Sequence, residues 1–104
     1  MVGFGKIMEM GQKLQKRVGE LQEELESIEV SGSSGGGMVT AIVNGKGSIL
    51  SVRIGKSLVG GNDQELLEDL VVSAVSKAQE KASKISKKKM KRITGGLPIP
   101  FPGL

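Results

Sequence analysis

VTAIVNGKGSILSVRI, residues 39–54, reads as two alternating runs separated by a turn. Val39, Ala41 and Val43 share one side of the first run. Leu50, Val52 and Ile54 share one side of the second, opposite Ser51 and Arg53. Alternation with period two marks strands that cover one face. Asn44-Gly45-Lys46-Gly47 between them brings residue types that tolerate the positive φ of a tight turn. The stretch therefore predicts an antiparallel hairpin. A lone hairpin is marginal in water, so its cover must come from the chain on either side.

Upstream, Phe4, Ile7, Gly11, Leu14, Val18, Leu21, Leu25 and Ile28 recur at alternating intervals of three and four, with Lys, Glu, Gln and Arg filling most positions between. That register predicts a helix over about 4–27 with a narrow seam for another helix. Ile28-Glu29-Val30 offers a third, shorter strand, and Ser31 to Gly37 reads as a flexible connector. Downstream, Gly60-Gly61 breaks the chain. Asn62 suits an N-cap with Glu65 as its capping-box partner, and Asp63, Glu65, Glu68 and Asp69 suit a helix start. Leu67, Val71, Ala74, Val75, Ala78, Ala82 and Ile85 form an apolar stripe running toward Arg92, and its small residues at 74, 78 and 82 would admit another helix closely. Leu97 to Leu104 holds three prolines and cannot be helical.

The expectation is one α+β domain over residues 1–104 with a Pro/Gly-rich tail over 95–104. Its order is α-β-β-β-α, or α-β-β-α if the short strand fails. A 30-residue helix extends ~45 Å, whereas five- or six-residue strands span ~17–20 Å. Both helices must then project past a small antiparallel sheet. An apolar seam of that length needs the other helix or a second copy, which predicts a homodimer.

The charge is segregated. The formal net charge is +4, but residues 1–61 carry seven cations and six anions, residues 62–76 four anions, and residues 77–104 eight cations and one anion. Lys77, Lys81, Lys84, Lys88 and Lys91 follow one another at intervals of 4, 3, 4 and 3. On a helix they make one stripe ~21 Å long. Duplex DNA presents a charge every ~1.7 Å of axis, so this edge can meet several phosphates. The far end of the first helix carries Lys6, Lys13, Lys16 and Arg17, while its acids Glu20, Glu23, Glu24 and Glu26 lie toward the sheet. Cations at a helix N-terminus oppose its dipole, a broken local rule that points to function. The candidate binding residues are Lys6, Lys13, Lys16, Arg17, Lys77, Lys81, Lys84, Lys87, Lys88, Lys91 and Arg92.

Catalytic chemistry is sparse. With no His and no Cys, histidine-assisted nucleophiles and the common zinc sites are ruled out, so neither catalytic residues, metal nor cofactor is expected. Gly55-Lys56-Ser57 resembles the end of a phosphate-binding loop, but the required earlier glycine is Leu50. No apolar run approaches the ~20 residues of a membrane span, so a soluble, cytoplasmic chain is expected. Beyond Phe4 at the very edge, the arms lack the aromatic platforms that single strands need. Twelve of the fifteen cations are Lys, a point charge on phosphate rather than a reader of bases. Double-stranded DNA held by its backbone is the partner this composition allows. A helical protein–protein adaptor and a peripheral membrane binder are the competing readings. No small-molecule substrate is expected.

Several pieces carry a resemblance in their order and spacing. They are Phe4-Gly5, Gly35-Gly36-Gly37-Met38-Val39, Asn44-Gly45-Lys46-Gly47, Val52-Arg53-Ile54 with Ser57-Leu58, Leu67 to Val75, Met90, Thr94-Gly95-Gly96-Leu97 and Pro102-Gly103-Leu104. Together they resemble the YbaB/EbfC family of bacterial nucleoid-associated DNA-binding proteins. The resemblance implies an α-β-β-β-α protomer whose dimer projects helical arms, binds duplex DNA in the nucleoid and alters its conformation. Gly55 stands where that pattern usually has Asp, and Ser76 where Asn is common. Phe101 within the closing Pro-rich stretch is also a departure.

Overall fold

Two six-residue strands flank the Asn44–Gly47 turn, as the alternation requires: β2 (Val39–Asn44) and β3 (Ile49–Ile54) pair antiparallel. A computed structural model describes residues 3–95. It adds β1 (Glu29–Ser34), paired antiparallel with β2 along its whole length, and places the sheet between α1 (Phe4–Ser27) and α2 (Gln64–Thr94). The order is α-β-β-β-α, with strands side by side as β1-β2-β3. The Pro-rich stretch from residue 96 onward lies outside the described residues.

The connector expected over Ser31–Gly37 is shorter than its composition suggests. Ser31 to Ser34 belongs to β1, and only Gly35–Gly37 turns the chain, at φ of 60°, 67° and 94°. Gly32 is in the strand for a steric reason. A Cβ there would fall within 3.0 Å of backbone atoms of Ala74 and Ala78. The small stripe Ala74, Ala78 and Ala82 thus receives the sheet rather than another helix, and packs with Val30, Val39, Ala41 and Val43 as the core. Buried Ser34 donates through Oγ to the Leu70 carbonyl at 2.6 Å, tying β1 to α2.

The hairpin turn works differently from its expected chemistry. Neither Asn44 nor Gly45 has positive φ; Gly47 does, at 89°. Asn44 is buried and its Oδ1 accepts from the N–H groups of Lys46 and Ser48, both at 3.0 Å. Gly45 is required by a close approach, since its N–H donates to the Leu25 carbonyl at 2.7 Å. A Cβ there would lie 2.8 Å from Leu25 atoms. The turn therefore caps the C-terminus of α1 and fixes that helix to the sheet. At the other end of the chain, α2 starts one residue later than the composition suggested. Asp63 is the N-cap, accepting from Leu66 N–H at 2.9 Å, and Gly95 closes the helix at φ 67°.

Only the part of α2 up to about Ser86 lies on the sheet. Its Ala74–Ala82 stretch covers β1 and β2, and beyond Ser86 it runs beside α1. Leu21 and Leu25 are buried in the inner half of the α1 seam, Leu14 and Val18 half-buried, and Phe4 and Ile7 exposed. The result is a rod of 70 × 21 × 18 Å with a radius of gyration of 19.1 Å, against about 13 Å for a compact chain of this size. No described helix is long and apolar enough to cross a membrane.

Among the described residues, nothing covers the apolar side of β3. Val52 and Ile54 are paired with Ala41 and Val39 and so face the same side as the core, yet α2 does not reach them. They remain 38% and 39% exposed, and Ile49 and Leu50 about half exposed, next to a register shift between Ile42 and Val43.

Candidate nucleic-acid interface

The cations fall into three places. Lys77 and Lys81 sit beside the edge strand β1, where their ammonium groups donate to the carbonyls of Ser33 (3.3 Å) and Ser31 (3.0 Å). The projecting part of α2 therefore begins about two and a half turns later than residue 77, beyond buried Ser86. Lys84, Lys88 and Lys91 continue the same helix face outward, and all are exposed. Lys87 is on another side of α2, where it lines a cleft against the hairpin turn with Lys46, Gln79 and Ser83.

The outer halves of the two helices lie side by side. Arg17 and Arg92 line one depression with Glu20, Glu24 and Lys89, and Lys88, Lys91 and Arg92 line the next. Lys13 and Arg17 flank a gap floored by Leu14 and Ile93. Lys16 and Lys6 are exposed on the same helix, with Lys6 near its outer end. The structure thus brings Lys13, Arg17, Lys88, Lys91 and Arg92 into one distal cluster. It leaves Lys77 and Lys81 near the sheet.

Carboxylates neutralise little of this. Of the eleven candidate cations, only Lys13 and Lys84 have a carboxylate within 4.0 Å among the described residues. Both pairs are exposed i,i+4 contacts, at 3.5 Å to Glu9 and 4.0 Å to Glu80, worth ~0.3–0.5 kcal/mol each. The closer ion pair belongs to a lysine outside the candidate set: Lys89 meets Glu24 at 2.7 Å and bridges α2 to α1. Lys89 thus holds the arms together while its neighbours stay available. In α1 the first turn has no acid and Gly3 provides no side-chain cap, so the positive end of that helix is left uncompensated.

A family model for the YbaB/EbfC DNA-binding family matches residues 1–97. The chain belongs to that family. A nucleoid-associated protein of Rhodospirillum rubrum is 41% identical over 104 residues, covering all of this chain and 96% of its own. A nucleoid-associated protein of Legionella pneumophila is 45% identical over 97 residues, covering 93% of this chain and 86% of its own. The crystal structure of an uncharacterized Helicobacter pylori protein, HP0035, superposes with a TM-score of 0.83 at 23% identity. That match covers 91% of this chain and all of the other, and extends the fold to a distant sequence.

Two features of this YbaB/EbfC chain were not singled out from sequence. Lys46, in the hairpin turn, faces the same cleft as Lys87 and contacts Glu26 at 3.4 Å. Arg53 stands exposed on uncovered β3. Both were hidden among strand and turn residues, where no charge periodicity marks them. Among the described residues no cluster of acidic side chains is arranged to hold a metal ion.

Proposed function

We propose that this chain is a homodimeric, nucleoid-associated protein of the cytoplasm that binds double-stranded DNA through its phosphates and changes the conformation of the duplex. The observation that carries the reading is the lysine face of α2, on which only Lys84 has a carboxylate within 4.0 Å among the described residues, continuing into the distal cluster shared with α1. Five lysines from Lys77 to Lys91 span ~21 Å, and the ammonium groups are point charges that contact phosphate without reading bases. Binding is then largely independent of sequence.

The dimer follows from β3. An edge strand with Leu50, Val52 and Ile54 half-exposed is an unpaired template with an apolar border. A second copy supplies both the missing strand and the missing cover, and a two-fold pairing closes on itself. Each protomer then carries its arms away from a shared sheet.

The test is titration of a random-sequence duplex at several salt concentrations. Log affinity falls by ~0.9 per phosphate neutralised, so five contacts give a slope of about −4.5 per protomer. Between 50 and 200 mM salt this weakens binding roughly 500-fold. Changing Lys84, Lys88 and Lys91 together to Glu removes the lysines that do not touch the sheet. The expected outcome is near-complete loss of binding with unchanged helicity. Binding of that variant at the native slope refutes the assignment.

A further inference from the structure

α1 outruns α2. Met10, Gly11 and Leu14 face Ile93 and Thr94 at the end of α2, so the turns before Met10 overhang by roughly 10 Å at ~1.5 Å per residue. The outer end of α1, from Phe4 to Met10, is apolar on one side. Phe4 is 77% exposed, Ile7 56%, Met8 53% and Met10 61%. At ~100° per residue these four fall within one half of the helix circumference, and Lys6, Glu9 and Lys13 within the other. On the scale of ~200 Å² for a large free side chain, the patch presents roughly 500 Å².

An apolar surface of this size at the end of a rod calls for an occupant, and its surroundings specify which. Residues 4–17 hold four cations against the single carboxylate of Glu9. The occupant therefore combines dense negative charge with a flat apolar surface a few ångströms away. A stable contact between two folded proteins needs about 800 Å² on each side, which this patch does not reach. Duplex DNA meets both requirements, because phosphates border base-pair faces that become accessible when a step opens.

We propose that the tip of α1 is a wedge. Phe4 and Ile7 enter a base step from the minor-groove side, and the long side chains of Lys6 and Lys13, on the other half of the helix, reach round toward the flanking phosphates. The wedge rests on the DNA-binding reading above and gives it a means of bending the duplex. Pyrimidine–purine steps open most readily and are the sites of entry.

The test uses the full chain and duplexes carrying 2-aminopurine at single TA or CA steps, whose fluorescence rises when the base unstacks. Native protein is expected to raise it severalfold. The double variant Phe4→Ala/Ile7→Ala is expected to lose that rise and about tenfold in affinity while keeping the native salt slope. Both side chains are solvent-exposed, and unchanged far-UV circular dichroism confirms that the variant folds. Binding by native protein with silent 2-aminopurine at every labelled step overturns the wedge but not DNA binding; absence of binding at low salt overturns both. A rise retained by the variant also overturns the wedge. So does silent 2-aminopurine with Phe4/Ile7-dependent pelleting on phosphatidylglycerol–phosphatidylcholine vesicles, which makes lipid the occupant. A sedimentation shift in the DNA-free variant, with the fluorescence silent, assigns the patch to a second copy instead.

Discussion

Gly32→Ala tests whether the fold depends on a helix lying directly on a strand. The added Cβ would sit 2.6 Å from the Ala74 carbonyl oxygen and 2.9 Å from Ala78 Cα, and closer still to the Ala78 nitrogen. All three are main-chain atoms, so no side chain can swing aside. Relief requires α2 to lift by about 1 Å over the stretch holding Ala74, Ala78 and Ala82. A gap of that size forfeits between a quarter and a half of the dispersion energy of each contact it opens. Overpacking a core costs ~1–3 kcal/mol, and rigid backbone on both sides puts this case at about 3. The alanine returns ~0.4–1 kcal/mol by restricting the unfolded chain. The net loss is about 2–3 kcal/mol, or a fall in Tm of about 10–20 °C at ~4–8 °C per kcal/mol. Urea titration followed by far-UV circular dichroism, at one fixed protein concentration, measures it; the chain has no Trp or Tyr to serve as a probe. A loss under ~0.5 kcal/mol would refute the direct contact.

Two further outcomes are expected. Replacing Val52 with Lys and Ile54 with Glu places charge on the uncovered strand without touching the α2 core, so sedimentation equilibrium should show a monomer; an unchanged dimer would move the interface elsewhere. Asp63→Ala removes the acceptor for Leu66 N–H and should cost ~1 kcal/mol in urea unfolding. No loss there would mean that water caps α2 as well as the carboxylate does.

The sequence was most legible where periodicity alone decides structure. The heptads of α1 predicted 4–27, and the helix runs Phe4–Ser27. The hairpin was equally plain, because alternation and turn residues agreed. Ser31–Ser34 misled because Ser and Gly are loop-like in composition. Their reason for being in a strand is non-local: a helix more than forty residues away leaves no room for a side chain at Gly32. The same hidden contact explains why the small residues of α2 were expected to meet a helix. For the site, the lysine spacing located the stripe, but its placement depended on where α2 leaves the sheet. Lys77 and Lys81 consequently lie beside β1 rather than on a free arm. The bare tip of α1 was equally invisible, since a heptad pattern does not say where its partner stops.

The ammonium groups over Ser31 and Ser33 have a bearing on growth. A three-stranded sheet has two ends at which strands can add, and a molecule sticky at both would build fibres without limit. Here one end is occupied by the molecule's own cations, whose solvated charge discourages an incoming chain. If the other end pairs as proposed above, the protein has a valence of one, and assembly would stop at a count of two.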